Sequence, residues 1–324
     1  METNSNPLVK AFYSPAQEFG LPVPPTVKIA GYEAGHPAAP PINEGYVFMP
    51  EKLRDILAFW QSSEKALKII GDPATGKTSL VEQFHARLRW PLYKVSCSPG
   101  TESRELIGQF FPTADGSLKW VDGPVLRAAR EGTSVLLDEY NVLEPGESTG
   151  LNMLIEGYSI VIPSTGEVVV PASGFKVFAT ENSVESRLSV VGRNVQDVAN
   201  DDRFMVTTAS YLPPELEERA VVNALLGDGV SPDVAAMIAQ QVVKVANSVR
   251  SAYRTDTSGV MTKPMTTRSA IRWARLVRRF ANVKDSDGPM VYALRRAFQM
   301  NAEMDAVVTE FTRAALGTGT NGQP

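Results

Sequence analysis

The chain has 324 residues, of which 43% are hydrophobic and 21% charged, and its formal net charge is −4. This composition is typical of a globular protein with one large domain or two modest ones, and the acidic balance argues against nucleic acid as the main partner. One cysteine and two histidines exclude an intramolecular disulfide and a Cys/His zinc cluster. Because no apolar run is long enough to span a bilayer and no signal-peptide core is present, we expect a cytoplasmic protein without membrane contact.

Residues 1–78 contain the first predicted elements and a glycine-rich loop. Residues 1–45 are rich in proline and alanine, which predicts an extended arm or a surface wrap without a core of its own. A helix is predicted near residues 50–60, and an apolar run at 66–70 predicts a buried strand. The glycine-rich loop GDPATGKT, residues 71–78, follows that strand and leads into a helix.

Strand, glycine-rich turn and helix form the context of a G-x-x-x-x-G-K-[ST] phosphate loop. Gly71 and Gly76 let the backbone curl, so that N–H groups and the helix N-terminus face anionic phosphates. Lys77 is expected to reach the β- and γ-phosphates of ATP, and the Thr78 hydroxyl to bind Mg²⁺. The residues expected to bind the nucleotide are Gly71, Asp72, Pro73, Ala74, Thr75, Gly76, Lys77, Thr78 and Ser79.

Strands and helices alternate over residues 46–212, which predicts a three-layer α/β domain with a mainly parallel sheet. Further strands are expected at PLYKVSCS, TSVLLDE, FKVFATEN and FMVTTASYL, and hairpins near residues 110–123 and 159–171. The candidate functional residues lie at the carboxyl ends of the predicted strands, which is where α/β sheets bind ligands. Asp138 is expected in the Mg²⁺ shell, Glu139 as the general base and Asn182 as a residue that orients the attacking water.

Two arginines extend this set. Arg203 precedes a strand and is expected to reach a neighbouring subunit's nucleotide; pairing with Asp201 or Asp202 is the alternative. Residues 213–316 carry four helical patterns, which predict a separate helical domain, and residues 317–324 are expected to be disordered. Arg268 begins one of these helices and is expected to contact the phosphates, whereas the stripe it forms with Arg272, Arg275 and Arg279 is typical of a solvated face.

The motifs GDPATGKT, VLLDEYN, FATEN, DRF and TTRS, in this order, resemble those of AAA+ ATPases of the MoxR type. More narrowly, nearly the whole chain resembles the CobS-like ATPase subunit of aerobic cobaltochelatase. The resemblance implies a P-loop αβα domain with a C-terminal helical lid, in which residues 71–78 are Walker A and Asp138 with Glu139 are Walker B. It further implies that Asn182 is sensor 1, Arg203 the arginine finger and Arg268 sensor 2.

The same resemblance implies a hexameric homo-oligomeric ring, pore-facing hairpins and a partner with a von Willebrand A domain. Departures at Asp72-Pro73-Ala74, Ser96, Asn141 and the TTRS motif remove no catalytic group and favour a paralogue with a different client. The first hypothesis is therefore ATP-driven remodelling of a protein partner. The alternatives are the motor of a cobalt or magnesium chelatase, and a nucleic-acid motor.

Overall fold

A parallel β-sheet and a group of helices form the two units into which the chain divides. The computed structural model describes residues 8–183 and 202–317. The first unit contains the described residues up to Asn43 and from Pro50 to Ala209, and the second contains Glu44–Met49 and the described residues from Ser210 onward. The sequence predicts residues 46–49 to belong to the α/β domain. They group with the second unit instead, where the Asn223 side-chain amide donates a hydrogen bond to the Gly45 carbonyl (3.2 Å).

The first unit begins with β1 (Lys10–Tyr13), α1 (Pro15–Phe19), β2 (Ile29–Tyr32), α2 (Pro50–Gln61), β3 (Ala66–Gly71), α3 (Lys77–Arg87) and β4 (Leu92–Ser96). It continues with α4 (Ser103–Ile107), β5 (Gly108–Pro112), β6 (Leu118–Asp122), α5 (Pro124–Glu131), β7 (Ser134–Asp138) and a 3₁₀ helix (Tyr140–Val142). The last elements are α6 (Pro145–Thr149), α7 (Asn152–Ile155), β8 (Ile160–Val161), β9 (Val168–Val169), β10 (Lys176–Asn182) and β11 (Met205–Ala209).

The central sheet has the strand order β11-β3-β10-β7-β4, and all of its neighbouring strands are parallel. Its strands read as apolar runs because both faces are covered; Leu67, Ile69, Val177 and Phe178 are all buried. The predicted αβα fold class is confirmed, and the strands end at a common edge.

Two antiparallel hairpins project from this unit, as the turn residues predict. Strands β5 and β6 pair over five residues each, and β8 and β9 over two. The turn of the first hairpin places Gly116 at a φ of 83°, a conformation that favours glycine. Both hairpins expose apolar side chains, among them Leu118 and Val161, which are 67% and 60% exposed.

Residues 8–43 lie against the α/β unit and contain regular elements, so they correspond to the surface-wrap alternative of the sequence prediction rather than to an extended arm. Strands β1 and β2 pair with each other, and α1 lies between them in the chain. Some apolar side chains of this segment are buried: Phe19 stacks on Phe84 of α3 at a centroid distance of 5.5 Å, and Tyr32 packs on Trp90 at 4.5 Å. Others, among them Phe12, remain exposed. A proline-rich segment without its own core is thus ordered by the core of the α/β unit.

The second unit contains α8 (Pro214–Gly227), α9 (Pro232–Thr255), α10 (Thr267–Arg279), α11 (Gly288–Ala297) and α12 (Ala302–Ala315). The sequence predicts one helix where α11 and α12 lie. The chain breaks there because Asn301 caps α12: its side chain accepts a hydrogen bond from the Met304 N–H (2.8 Å). Within residues 8–183 and 202–317, no helix is long and apolar enough to cross a membrane.

His85 of α3 lies in the core of the first unit. Its Nδ1 donates to the Val81 carbonyl (2.8 Å), and its ring meets the rings of Trp60 and Phe178 edge-on at 5.5 and 4.8 Å. Burial lowers the pKa of His85 from 6.5 to about 4, although the hydrogen bond to Val81 acts in the opposite direction. The imidazole is therefore neutral in the folded protein near neutral pH.

Acid should destabilise this unit through His85. As the pH falls, the unfolded chain binds the histidine proton near pH 6.5, whereas the folded chain binds it only near pH 4. The stabilisation present above pH 6.5 is therefore lost across that window, by about 3 kcal/mol in total. Urea unfolding at about pH 7.5 and about pH 4.5 should show a smaller loss for His85→Phe than for wild type. Equal losses in the two proteins would contradict this assignment.

Candidate functional site

Three strand ends bring predicted site residues together at one edge of the sheet. Asn182 lies opposite Gly71 in the register of β10 with β3. Asp138 is the last residue of β7, and the pairing of Ala179 with Leu137 brings Thr180 level with it. Residues far apart in the chain therefore meet where parallel sheets bind ligands.

The loop after β3 depends on a close backbone approach at Gly71. A Cβ at this position would lie 2.2 Å from the Ala209 carbonyl oxygen on β11, so a side chain does not fit. Farther along the loop, Ala74 and Gly76 have φ values of 59° and 88°, and Gly76 is the N-cap of α3. Such a curl at a helix N-terminus is the backbone geometry that binds phosphate groups.

Lys77 links this loop to the end of β10. Its Nζ donates to the carbonyl oxygens of Gly71 (3.0 Å) and Asp72 (2.9 Å) and to Oδ1 of Asn182 (3.0 Å). The side chain is nearly buried, and these oxygens offset part of the cost of removing its charge from water. The predicted phosphate-binding lysine and the predicted sensor are thus in direct contact.

Asp138 is the centre of a second hydrogen-bond network. Its Oδ1 accepts from the Thr78 hydroxyl (2.7 Å) and from the Thr180 hydroxyl. The Thr180 oxygen in turn accepts from the Glu139 backbone N–H (3.0 Å). One threonine of β10 therefore holds both members of the acidic pair.

Glu139 has an unusual backbone conformation. Its φ and ψ are 60° and 42°, in the left-handed region that residues with a Cβ seldom occupy, at a cost of roughly 1–3 kcal/mol. The residue is the N-cap of the 3₁₀ helix, and the hydrogen bond from its N–H to the Thr180 side-chain oxygen supports this conformation. Strain of this kind concentrates at functional sites, which agrees with a catalytic role for Glu139.

The chain after β10 is attached to the loop through Ser183. Its N–H donates to the Gly71 carbonyl (3.1 Å), and its hydroxyl donates to Oδ1 of Asp72 (3.0 Å). Asn182 is therefore held on one side by Lys77 and on the other by the attachment of its neighbour.

Arg203 forms an ion pair with Glu156, the C-cap residue of α7. The sequence offers Asp201 or Asp202 as alternative partners, of which Asp201 lies outside the described residues; Glu156 is a partner that neither alternative includes. The pair is partly exposed, with 25% and 33% of the two side chains accessible. The sequence does not suggest this ion pair, because the whole second hairpin and β10 lie between Glu156 and Arg203 in the chain.

Arg268 belongs to the second unit, where it is exposed in the first turn of α10. The start of α10 is well defined, because the Thr266 side chain accepts from the Ser269 N–H (3.1 Å). A buried ion pair lies beside it: Arg250 binds both carboxylate oxygens of Glu217 at 2.6 Å, and the Thr267 hydroxyl donates to the same carboxylate. The backbone that carries Arg268 is therefore rigid, while the Arg268 side chain faces solvent.

Cys97, the single cysteine of the chain, lies next to the acidic pair. Its N–H donates to the Asp138 carbonyl oxygen (2.8 Å). Burial, with smaller contributions from the charges of Asp138 and Glu139, raises the pKa of the thiol to about 12. Cys97 is thus a protonated core residue rather than a nucleophile.

The donor set fits ATP and Mg²⁺. Oxygen ligands suit Mg²⁺, and the hydroxyl of Thr78 and the carboxylate of Asp138 lie within 2.7 Å of each other. The Lys77 ammonium and the curled loop supply the positive partners that a triphosphate needs. Thr180 and Ser183 were missed by the sequence analysis, although Thr180 stands two positions before Asn182 and therefore on the same face of β10.

Known families match both units of the chain. Residues 66–204 match the AAA domain of the dynein-related subfamily, a range that runs from β3 to the residue after Arg203. Residues 228–315 match the C-terminal region of CbbQ, NirQ and NorQ. The first match covers the loop, the acidic pair and Asn182, and the second covers Arg268.

Individual proteins are similar over longer ranges. The aerobic cobaltochelatase subunit CobS of Sinorhizobium sp is 25% identical over 301 residues, which cover 90% of this chain and 87% of CobS. The denitrification regulatory protein NirQ of Stutzerimonas stutzeri is 31% identical over 222 residues, 68% of this chain and 74% of NirQ. Midasin of Giardia intestinalis is 32% identical over 151 residues, 46% of this chain but 3% of Midasin.

Thr180→Val should separate hydrolysis from nucleotide binding. The substitution keeps the shape but removes the hydroxyl that binds Asp138 and supports the Glu139 backbone. The loss of a hydrogen bond to a charged group predicts a roughly ten- to hundredfold lower kcat, with a smaller change in nucleotide affinity. Steady-state ATP hydrolysis and calorimetric nucleotide binding measure the two effects.

Thr207→Val is the matched control. Thr207 is also a buried strand threonine whose hydroxyl donates to an aspartate, here Asp55 of α2. Its loss should lower stability without a comparable fall in kcat. If both variants lost kcat equally, the effect of Thr180 would be general destabilisation.

Proposed function

The chain belongs to the MoxR-type AAA+ ATPases, a group of ATP hydrolases that includes CobS and NirQ, and we propose that it works as a hexameric homo-oligomeric ring that remodels a protein partner. ATP with Mg²⁺ would bind at each subunit interface, and a protein with a von Willebrand A domain would deliver or act on the client. The observation that carries the proposal is the position of Arg203 in its own subunit.

Arg203 precedes the amino end of β11, whereas the phosphate loop follows the carboxyl end of the adjacent strand β3. Strand β11 runs parallel to β3, and Ala209 at its end pairs with Gly71, where the loop begins. Arg203 precedes the first strand residue, Met205, so the length of β11, about 16 Å for a five-residue strand, separates its backbone from the level of the loop. An arginine so placed serves a nucleotide on another subunit better than its own.

Within one subunit, the contacts support a division of roles. Lys77 would hold the β- and γ-phosphates, and the oxygens of Thr78 and Asp138 would hold Mg²⁺. Glu139 would accept a proton from the attacking water at its carboxylate, and Asn182 would orient that water. Mg²⁺ supplies charge neutralisation on the phosphate oxygens when bound.

The ion pair with Glu156 does not prevent Arg203 from acting on a neighbour. Partly exposed pairs of this type contribute only about 0–1 kcal/mol. The triphosphate offers a stronger partner for a guanidinium than one carboxylate does. Glu156 would therefore hold the arginine in place until a neighbouring subunit presents its nucleotide.

The remaining family features are consistent with a ring motor. Arg268 supplies an exposed guanidinium on a rigid helix start, as a nucleotide-sensing role requires. The two hairpins expose apolar side chains such as Phe111 and Val168, as expected of surfaces that contact a client in the pore.

A second candidate is the motor of a metal chelatase, which the match to CobS over 90% of this chain favours. The two functions differ in the partner proteins that the ring needs for activity. A chelatase motor should support metal insertion into a tetrapyrrole when a porphyrin-binding subunit and a von Willebrand A subunit are added, as absorbance would report. A remodelling ATPase would be stimulated by the von Willebrand A partner alone.

Lys77→Ala should lose nucleotide binding, because the phosphates lose their charged partner. Glu139→Gln should bind ATP but hydrolyse it at least about a hundredfold more slowly, because the fold and the metal ligands remain while the base is absent. Glu144→Gln, an exposed glutamate close by in the chain, is the control. Wild-type turnover in Glu139→Gln would remove Glu139 from the base role.

Arg203→Ala should keep ATP binding and lose about a thousandfold in turnover, since an arginine finger is worth that much in other phosphoryl-transfer systems. Mixing Arg203→Ala with Lys77→Ala subunits should restore part of the activity, because one type keeps an intact pocket and the other an intact finger. Arg275→Ala, which removes another arginine of an exposed ion pair, controls for loss of charge. Mixed rings that form without any recovery would refute the shared site.

A further inference from the structure

A lysine lies between two buried apolar residues, Leu67 and Ile69, in the central sheet. Lys68, in the middle of β3, is 1% exposed, and its Nζ lies 3.0 Å from Oε1 of Glu181 on β10. The same Nζ is 4.8 Å from the ring centroid of Phe204 and 5.5 Å from that of Tyr140, and the two rings are 5.5 Å apart. We call these four residues the Lys68 cluster.

Each partner of Lys68 is the chain neighbour of a residue with a proposed role in hydrolysis. Glu181 precedes Asn182, Tyr140 follows Glu139, and Phe204 follows Arg203. The three segments are separate in sequence, and this cluster is a place where side chains beside all three meet. Tyr140 and Phe204 are both buried, so the segments have little freedom to shift independently.

Stability alone does not explain a charge at this position. A buried ion pair is costly to desolvate, and apolar residues of similar volume often replace such pairs without loss of stability. Leu67 and Ile69 on either side of Lys68 are buried and apolar. A cation can fix the relative positions of several partners, because an ammonium binds a carboxylate and the faces of aromatic rings at the same time.

We infer that the Lys68 cluster is a positioning unit that sets the arginine offered to the neighbouring subunit relative to the base and sensor of the chain's own pocket. The inference rests on the proposed function, since it needs Arg203 to act in trans. Lys68 touches neither pocket directly. It acts through Phe204 on one side and through Tyr140 and Glu181 on the other.

This role has a specific consequence: loss of the Lys68 charge should damage hydrolysis in two pockets. The chain's own pocket loses alignment of Glu139 and Asn182, and the neighbour's pocket loses alignment of Arg203. Nucleotide affinity, which depends on the loop and Lys77, should change less than threefold.

Mixed rings separate these two effects. Arg203→Ala subunits supply the pocket, and Lys77→Ala subunits, with or without Lys68→Met, supply the finger. We expect finger donors that carry Lys68→Met to restore at least tenfold less activity than donors without it. Equal restoration by the two donors would overturn the inference.

Lys176→Met is the matched control. Lys176 is another buried lysine of the same sheet, whose Nζ lies 4.5 Å from the Phe59 ring centroid and donates to the carbonyls of Phe59 and Ser62 at the end of α2. It is therefore a buried lysine beside an aromatic ring, like Lys68, but its ammonium donates to backbone carbonyls at and after the end of α2 rather than to the carboxylate of Glu181. Donors that carry Lys176→Met should restore as much activity as Lys77→Ala donors, and an equal loss in both lysine variants would overturn the inference.

A further variant and a non-kinetic measurement guard against misfolding. The double variant Lys68→Met with Glu181→Gln leaves no unpaired buried charge. Lys77→Ala donors that carry it should restore as little activity as donors that carry Lys68→Met alone. Hydrogen exchange should be at least tenfold faster in peptides that contain Tyr140 or Phe204 in both Lys68 variants, and unchanged there in Lys176→Met. Native exchange at both sites would overturn the inference.

The proposed function and the inference fail in different ways. Without a ring-shared site, unmodified Lys77→Ala donors restore nothing to Arg203→Ala subunits. If only the inference is wrong, those donors restore activity, and donors that also carry Lys68→Met restore it equally.

Discussion

The parallel pairing of β10 with β3 on one side and β7 on the other is the constraint on which the site depends. This register puts Asn182 opposite Gly71, within reach of Lys77, and brings Thr180 to the carboxylate of Asp138. Side chains alternate between the faces of a strand, so a slip of one residue would turn both β10 side chains away from their partners. The apolar residues of the central strands hold the register, because such a slip would also disturb their packing.

Two energetically unfavourable local features lie in this sheet and next to it. Glu139 occupies the left-handed region of backbone conformation, and Lys68 carries a charge into the sheet. Each is supported by contacts from a different segment: Thr180 accepts from the Glu139 N–H, and Glu181 pairs with Lys68. Where local rules of propensity and burial are broken together, a functional demand is the usual reason.

The second unit also contains a buried ion pair, which supports the start of α10. Arg250 binds Glu217 through two parallel hydrogen bonds, donates from Nε to the Met265 carbonyl (2.7 Å) and lies over the Tyr211 ring at 4.3 Å. This pair connects α8 and α9 to the residues just before α10. The arginines farther along α10 are less constrained, since Arg275 pairs with Asp228 on the surface. Rigid support is therefore concentrated at the end of α10 that carries Arg268.

The sequence alone determined the mainly parallel sheet and the two hairpins, and it predicted the candidate phosphate loop, the acidic pair and Asn182, because each has a local signature in glycine spacing, apolar runs or turn residues. The order of the strands, the folding of residues 8–43 onto α3 and the break between α11 and α12 came only with the structure. So did the partners Glu156, Thr180 and Glu181. Lys68 is recognisable in the sequence as a charged residue within an apolar run. Its proposed role depends on Tyr140 and Phe204, which no sequence spacing brings together. The physical reason is that local patterns report the conformation of one segment, whereas contacts between segments depend on how the strands and helices pack.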